Sequence, residues 1–130
     1  MFGWFRKKQA KLMPEGFWTV MLVEQKIRVT DQEGRVKSVG LAELSRVIIE
    51  TNDTGPWGAD VWWLFFGADS KLALAFPQGA TGEKEVLDRL FSLPGFRQEE
   101  VIKAMGCTED AAFPVWSKVI YETYSNSTIT

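Results

Sequence analysis

Residues 61–66 read Val-Trp-Trp-Leu-Phe-Phe, and after the turn-forming segment 67–71 residues 72–76 read Leu-Ala-Leu-Ala-Phe. Both runs are short, rich in aromatic and aliphatic side chains, and bounded by residues that favour turns. This combination is typical of strands covered on both faces, whereas a helix would need about ten or more residues. We therefore predict two adjacent buried strands, which define the architecture but carry no chemistry.

The remaining pattern predicts further strands and two helices. Apolar and β-branched runs predict strands within 17–23, 26–30, 35–39, 47–51 and 112–120. Helical spacing predicts one helix over 83–93 and a second over 98–105, the second burying Val101, Ile102 and Met105. Together these patterns predict an α+β domain, with an antiparallel sheet of about six strands packed by two helices toward the C-terminus.

The chain divides into three parts. We predict that residues 1–16 form a basic, aromatic N-terminal arm, residues 17–124 a single domain, and residues 125–130 a polar tail. The net charge of −2 conceals an asymmetry: residues 1–40 carry eight Lys or Arg and four Asp or Glu, and residues 41–130 carry seven and thirteen. The cations are therefore concentrated in the first third of the chain.

Composition excludes several classes of function. The chain has a single cysteine, Cys107, and no histidine, so an internal disulfide framework and general acid-base catalysis by imidazole are both excluded. No Asp-x-Asp-x-Asp-Gly loop is present, and we predict neither a metal nor a cofactor. The acidic pI of about 5.2 argues against nucleic-acid binding. Without an apolar run of about 18 residues or a signal-like leader, a cytoplasmic location is the default expectation.

The irregular segment 52–60 is the candidate binding loop. Its sequence, Asn-Asp-Thr-Gly-Pro-Trp-Gly-Ala-Asp, favours a surface loop that exposes Trp57 to a partner. The candidate binding residues in this loop are Asn52, Asp53, Trp57 and Asp60. The tripeptide that begins at Asp53 also matches aspartic proteases, although its surroundings differ from theirs. Separately, Asp53 and Asp60 could form a carboxylate pair across the loop, so a carboxylate-dependent hydrolase is one alternative.

A second group of candidates lies on the first hairpin. Pairing Thr30 with Arg35 would place Arg28 opposite Lys37, which would gather Lys26, Arg28 and Lys37 on one wet face. Like charges brought together in this way favour a bound anion, although a solvated sheet face is the ordinary alternative. With the cations of the arm, this predicts weak contact with an anionic lipid surface or a phosphate ligand.

Residues 79–84, Gly-Ala-Thr-Gly-Glu-Lys, follow a predicted strand and precede a helix, where backbone amides can bind phosphate. Their spacing differs from that of a P-loop. Glu83 and Glu85 supply carboxylates to the first helical turn, where they would repel a phosphate. We therefore predict an ordinary helix start.

Five segments of the chain resemble a family of small uncharacterised bacterial proteins. They are Thr-Asn-Asp-Thr-Gly-Pro at 51–56, Asp-Val-Trp-Trp at 60–63, Pro-Gln-Gly-Ala-Thr-Gly at 77–82, Leu-Pro-Gly-Phe at 93–96 and Val-Ile-Lys-Ala-Met at 101–105. The resemblance spans about Trp18 to Trp116 and implies a bacterial, cytoplasmic, single-domain protein, without implying any site residue. At the level of fold alone, the order of elements also resembles pleckstrin-homology-like domains.

The leading hypothesis is a non-enzymatic module that binds a protein partner through the 52–60 loop, with Trp57, and through the sheet edge. Binding of anionic lipid or phosphate and hydrolysis by carboxylates are the two alternatives.

Overall fold

The computed structural model describes residues 18–52 and 61–118, and this part of the chain contains seven strands and two α-helices. The strands are β1 (Thr19–Val23), β2 (Lys26–Thr30), β3 (Val36–Gly40), β4 (Arg46–Thr51), β5 (Val61–Phe66), β6 (Leu72–Pro77) and β7 (Ala111–Ser117). The helices are α1 (Glu83–Phe91) and α2 (Gln98–Met105), and a 3₁₀ turn spans Leu41–Glu43. Neither helix is long and apolar enough to cross a membrane, a finding that covers the described ranges only.

The strands form two antiparallel sheets. The first sheet has the order β1-β2-β3, and the second has the order β6-β5-β4-β7. This confirms the predicted α+β class, with antiparallel strands and two helices late in the chain. The described strands number seven and are divided between two sheets, and the 3₁₀ turn connects β3 of the first sheet to β4 of the second.

The centre of the second sheet is the main part of the core. No side chain from Trp62 to Phe66 is more than 2% exposed, which confirms that β5 is covered on both faces. The ring of Phe65 stacks on Phe76 of β6 with 5.5 Å between centroids. Trp18, just before β1, meets Trp62 edge to face at 5.3 Å and so joins the two sheets. Burying each such side chain contributes about 1.5–3 kcal/mol, so this cluster dominates the stability of the fold.

Helix α1 begins at Glu83, as predicted. The Glu83 carboxylate accepts a 2.9 Å hydrogen bond from the Gly79 N–H, so the amide that a phosphate would need is already bound. Partial burial raises the pKa of the Glu83 carboxyl above its usual value, and the bond from Gly79 opposes that rise. The helix ends at Phe91, two residues earlier than predicted, where Ser92 donates its hydroxyl to the Arg89 carbonyl at 2.6 Å.

Helix α2 lies against β7 and β4 through a narrow stripe of side chains. Ala104 is fully buried and Val101 is partly buried. Ile102 is 73% exposed and Met105 is 42% exposed, so the predicted burial of these two residues is wrong. The helix has only eight residues and rests on one sheet, so its contact surface is confined to residues about three apart.

Candidate functional site

The predicted binding loop is only partly within the described structure. Asn52 follows β4 directly and is buried, with 2% of its surface exposed. Asp53, Trp57 and Asp60 lie outside the described residues, and their predicted roles in binding or hydrolysis stay predictions.

The end of β4 that leads into this loop is polar and buried. Glu50, Thr51 and Asn52 all have less than a tenth of their surface exposed. The Thr51 hydroxyl donates to the Glu109 carbonyl at 2.6 Å, and Cys107 Sγ lies 3.6 Å from Thr51 Oγ1. These contacts attach the segment after α2 to β4, so the Thr51 side chain stabilises the folded domain.

Replacing Thr51 by valine, which keeps the shape but removes the hydroxyl, should lower the free energy of unfolding by about 1 kcal/mol or slightly more. A buried hydrogen bond contributes about 0.5–1.5 kcal/mol, and Val adds no new partner for the Glu109 carbonyl. Urea denaturation would measure the change. Thr51→Ser is the control, since it retains the hydroxyl. A Thr51→Val variant as stable as the parent would contradict this role.

The hairpin of β2 and β3 is paired one residue away from the predicted register. The observed partners are Thr30 with Val36, Val29 with Lys37, and Arg28 with Ser38. The predicted pairing of Thr30 with Arg35, and of Arg28 with Lys37, is therefore wrong. Because successive side chains on a strand point to opposite faces, this shift moves Lys37 to the other face of the sheet.

The cause of the shift is the loop that begins at Asp31. The Asp31 side chain accepts hydrogen bonds from the Glu33 N–H at 2.8 Å and the Arg35 N–H at 3.0 Å. The Asp31 N–H in turn donates to the Arg35 carbonyl at 2.9 Å. Arg35 is thereby paired with Asp31 rather than with Thr30. The tendency of Asp to bond the backbone two residues ahead was the signal in the sequence that could have identified this register.

Two of the three predicted cations stay together. Lys26 and Arg28 are exposed on the same face of β2, here called the outer face, whereas Lys37 lies on the face that carries the buried Val29. Among the described residues, neither Lys26 nor Arg28 takes part in an ion pair or a side-chain hydrogen bond. The outer face therefore carries a pair of cations that is not neutralised by the described parts of the chain.

The edge of β3 presents free backbone groups. Just before and just after β3, Arg35 is hydrogen-bonded to Asp31 and Leu41 is hydrogen-bonded to Gln25. Arg35 and Leu41 therefore direct these backbone groups toward the β2 side. Alternate residues of an antiparallel strand bond on opposite sides, so Val36, Ser38 and Gly40 direct their N–H and C=O groups away from β2. Within residues 18–52 and 61–118, no partner is bonded to the backbone of Val36 or Ser38 on that side.

The free part of this edge is short and exposed. The Gly40 N–H is bound by the Glu43 carboxylate at 3.0 Å, which closes the edge at its far end. Val36 is 58% exposed, and Lys37 and Ser38 are exposed as well. We call the outward backbone groups of Val36 and Ser38 the free edge. The sequence reasoning did not identify Val36 and Ser38, because the absence of a neighbouring strand is not encoded locally.

Two other strand edges, those of β1 and β7, are bonded to the chain itself. Beside β1, the Val20 N–H donates to the Thr81 carbonyl at 2.9 Å and the Thr81 N–H donates to the Trp18 carbonyl at 2.8 Å. Beside β7, the Arg97 N–H donates to the Val115 carbonyl at 2.7 Å. The free edge of β3 thus differs from these two edges in having no such cover among the described residues.

A surface groove of about 600 Å³ lies between β1 and the start of α1. Its lining includes Thr19, Met21, Gly82 and Lys84. The Lys84 ammonium is 2.8 Å from the Asp88 carboxylate, and this hydrogen bond raises the pKa of Lys84.

In the described ranges no group of three or more His, Cys, Asp or Glu could hold a metal ion.

Searches against protein-family models, characterised proteins and solved structures found no match to this chain. The resemblances to the bacterial family and to pleckstrin-homology-like domains therefore remain predictions.

Proposed function

We propose that this protein is an interaction module that binds an extended segment of a partner protein as an additional strand beside β3. The observation that supports this proposal is the free edge, where the backbone N–H and C=O groups of Val36 and Ser38 have no partner in the described residues. Strand addition to an exposed sheet edge is a recurrent mode of peptide recognition, in which main-chain hydrogen bonds supply affinity and side chains supply specificity.

The free edge can pair with only a short partner segment, so side chains must add to the affinity that the backbone hydrogen bonds supply. Val36 and Ser38 offer four backbone groups, and each net hydrogen bond contributes about 0.5–1.5 kcal/mol against the cost of ordering the partner. Apolar contact with the exposed Val36 side chain would add to this. Natural proteins usually block free edges with proline, bulges or charges. Over residues 36–40 there is no proline, and the one charge, on Lys37, lies on the face opposite to that of Val36 and Ser38.

The alternatives have less support. An anion bound jointly by the three predicted cations would need Lys26, Arg28 and Lys37 on one face of the sheet. The observed register divides these residues between two faces. The N-terminal arm, the other part of that hypothesis, lies outside the described residues. The hydrolase hypothesis depends on Asp53 and Asp60, which are also outside them.

Replacing Ser38 by proline should abolish binding at the edge while the domain still folds. Proline has no N–H, and its ring would occupy the path of an incoming strand. The Ser38 N–H points away from β2, so the ladder within the hairpin is retained. The experiment selects peptides from a random library of ten-residue segments displayed on phage, using the full chain. We expect the selected peptides to protect the Val36 and Ser38 amides from hydrogen exchange and to lose at least tenfold in affinity for Ser38→Pro.

Ser38→Thr is the matched control, since it keeps both backbone groups and should bind as the parent does. Circular dichroism and thermal melting establish that the proline variant is folded. The proposal fails if the selected peptides bind folded Ser38→Pro as tightly as the parent, or if no peptide is selected that protects these amides.

A further inference from the structure

We infer that the partner segment is acidic, with a carboxylate beside Ser38 that meets Arg28 and an apolar side chain beside Val36. This inference rests on the proposed strand addition at the free edge. It concerns the chemistry of the partner, which the backbone groups of the edge do not specify.

The observation behind this inference is the set of residues that lie side by side across β1, β2 and β3 on the outer face, here called rows. Met21, Arg28 and Ser38 form one row, and Thr19, Thr30 and Val36 form the next. The row that contains the cation thus ends at the edge in a small side chain, and the neighbouring row ends in an exposed apolar one. A strand added beside β3 would place one of its own residues at the end of each row.

The distances allow Arg28 to reach such a residue. Adjacent strands lie about 4.8 Å apart, so an added strand would run about 10 Å from β2. An extended arginine side chain spans most of that distance, and a carboxylate that leans toward it covers the rest. Ser38 lies between them and is too short to block the contact. Arginine also pairs with carboxylates in a planar, two-bonded geometry that favours this choice of partner.

The charge pattern favours an anion at this position. Arg28 lies in the row that ends at Ser38, and Lys26, two residues away on the same face, lies in the row that ends at Gly40, whose N–H is bound by the Glu43 carboxylate. Neither cation has an ion-pair partner among the described residues. Because the whole chain carries a net charge of −2, this attraction is local to the first sheet rather than a property of the overall charge.

The experiment uses a synthetic peptide that fits the edge in either direction. Acetyl-Ser-Glu-Thr-Val-Thr-Glu-Ser-amide has a carboxylate two residues from valine on both sides, so parallel and antiparallel pairing give the same rows. The comparison peptide has lysine in place of both glutamates. In NMR titrations of the full chain, we expect the acidic peptide to bind about tenfold more tightly than the basic one at low salt, and this ratio to fall as salt is added.

Variants of the chain separate a local effect from a general one. Arg28→Glu should remove the preference for the acidic peptide. Lys103→Glu, on α2, changes the net charge by the same amount and should retain the preference, since α2 lies against the second sheet. Loss of the preference in both variants would attribute it to overall charge and would overturn the inference.

Ser38→Pro distinguishes this inference from the proposed function. If peptides selected from the library bind the edge but the acidic peptide binds no better than the basic one, the acidic partner is wrong while strand addition stands. If the acidic peptide binds Ser38→Pro as well as the parent, edge pairing itself is wrong. Preference for the acidic peptide that is lost in Arg28→Glu and in Ser38→Pro, but kept in Lys103→Glu, supports both.

Discussion

Replacing Trp63 by alanine should lower the free energy of unfolding by about 3–5 kcal/mol, as expected for removal of a large aromatic side chain from a core. Trp63 is fully buried in β5, where it is paired with Ile49 of β4 and Phe76 of β6. Its indole N–H also donates to the Gln78 side chain at 2.9 Å. The substitution therefore leaves a cavity on the face of the sheet that carries Ile49 and Phe76, and it removes a hydrogen bond. Urea denaturation at equilibrium would measure the loss.

Trp63→Phe separates the two contributions. It keeps most of the ring and removes the donor to Gln78, so its cost should be well below that of alanine, with about 1 kcal/mol from the hydrogen bond. A loss of less than 2 kcal/mol for Trp63→Ala would mean that this indole is not a central part of the core. Such a result would also weaken the conclusion that the tryptophans of β5 are structural.

Replacing Gly82 by alanine should destabilise the domain by about 2–5 kcal/mol. Gly82 has a left-handed backbone, with φ of +86°, which costs an ordinary residue about 1–2 kcal/mol. A Cβ at this position would also lie far inside contact distance of the Val20 carbonyl oxygen, and forcing atoms into a packed site costs about 1–3 kcal/mol more. Because α1 starts at the next residue, the damage should extend to the contact between α1 and β1. Thermal and urea denaturation would detect it.

Gly34→Ala is the matched control for that prediction. Gly34 also has a left-handed backbone, with φ of +83°, but no described atom lies within 4 Å of the position its Cβ would occupy. Its substitution should cost only the backbone contribution, about 1–2 kcal/mol. Equal losses for Gly34→Ala and Gly82→Ala would show that the close approach to Val20 has no energetic consequence.

The parts of the fold that were predictable from the sequence are those set by local pattern. The aromatic run from Trp62 to Phe66 identified a strand covered on both faces, because the run is apolar throughout, too short for a buried helix and followed by turn-forming residues. The start of α1 at Glu83 was also predictable, since a carboxylate in the first turn satisfies free amides. Each of these depends on residues close together in the chain.

The parts that were not predictable depend on length and on distant neighbours. Helical spacing correctly gave α2 but assigned Ile102 and Met105 to a buried face, because periodicity does not specify how wide the contact with a sheet is. The free edge at Val36 and Ser38 was missed, since it depends on which strands fail to pair. Of the predicted site residues, Lys26 and Arg28 lie on the face that the proposal uses, and the role of the 52–60 loop stays a prediction.

The hydrogen bonds of Asp31 have a consequence for how this protein can change in evolution or by engineering. Exposed hairpin loops normally accept insertions and deletions without harm. Here a single inserted or deleted residue would exchange the two sides of β3, turning Val39 toward solvent and bringing Lys37 beside Arg28. Residue identity within this connection can vary more freely than its length, so homologues that differ in this length are expected to carry compensating changes throughout β3.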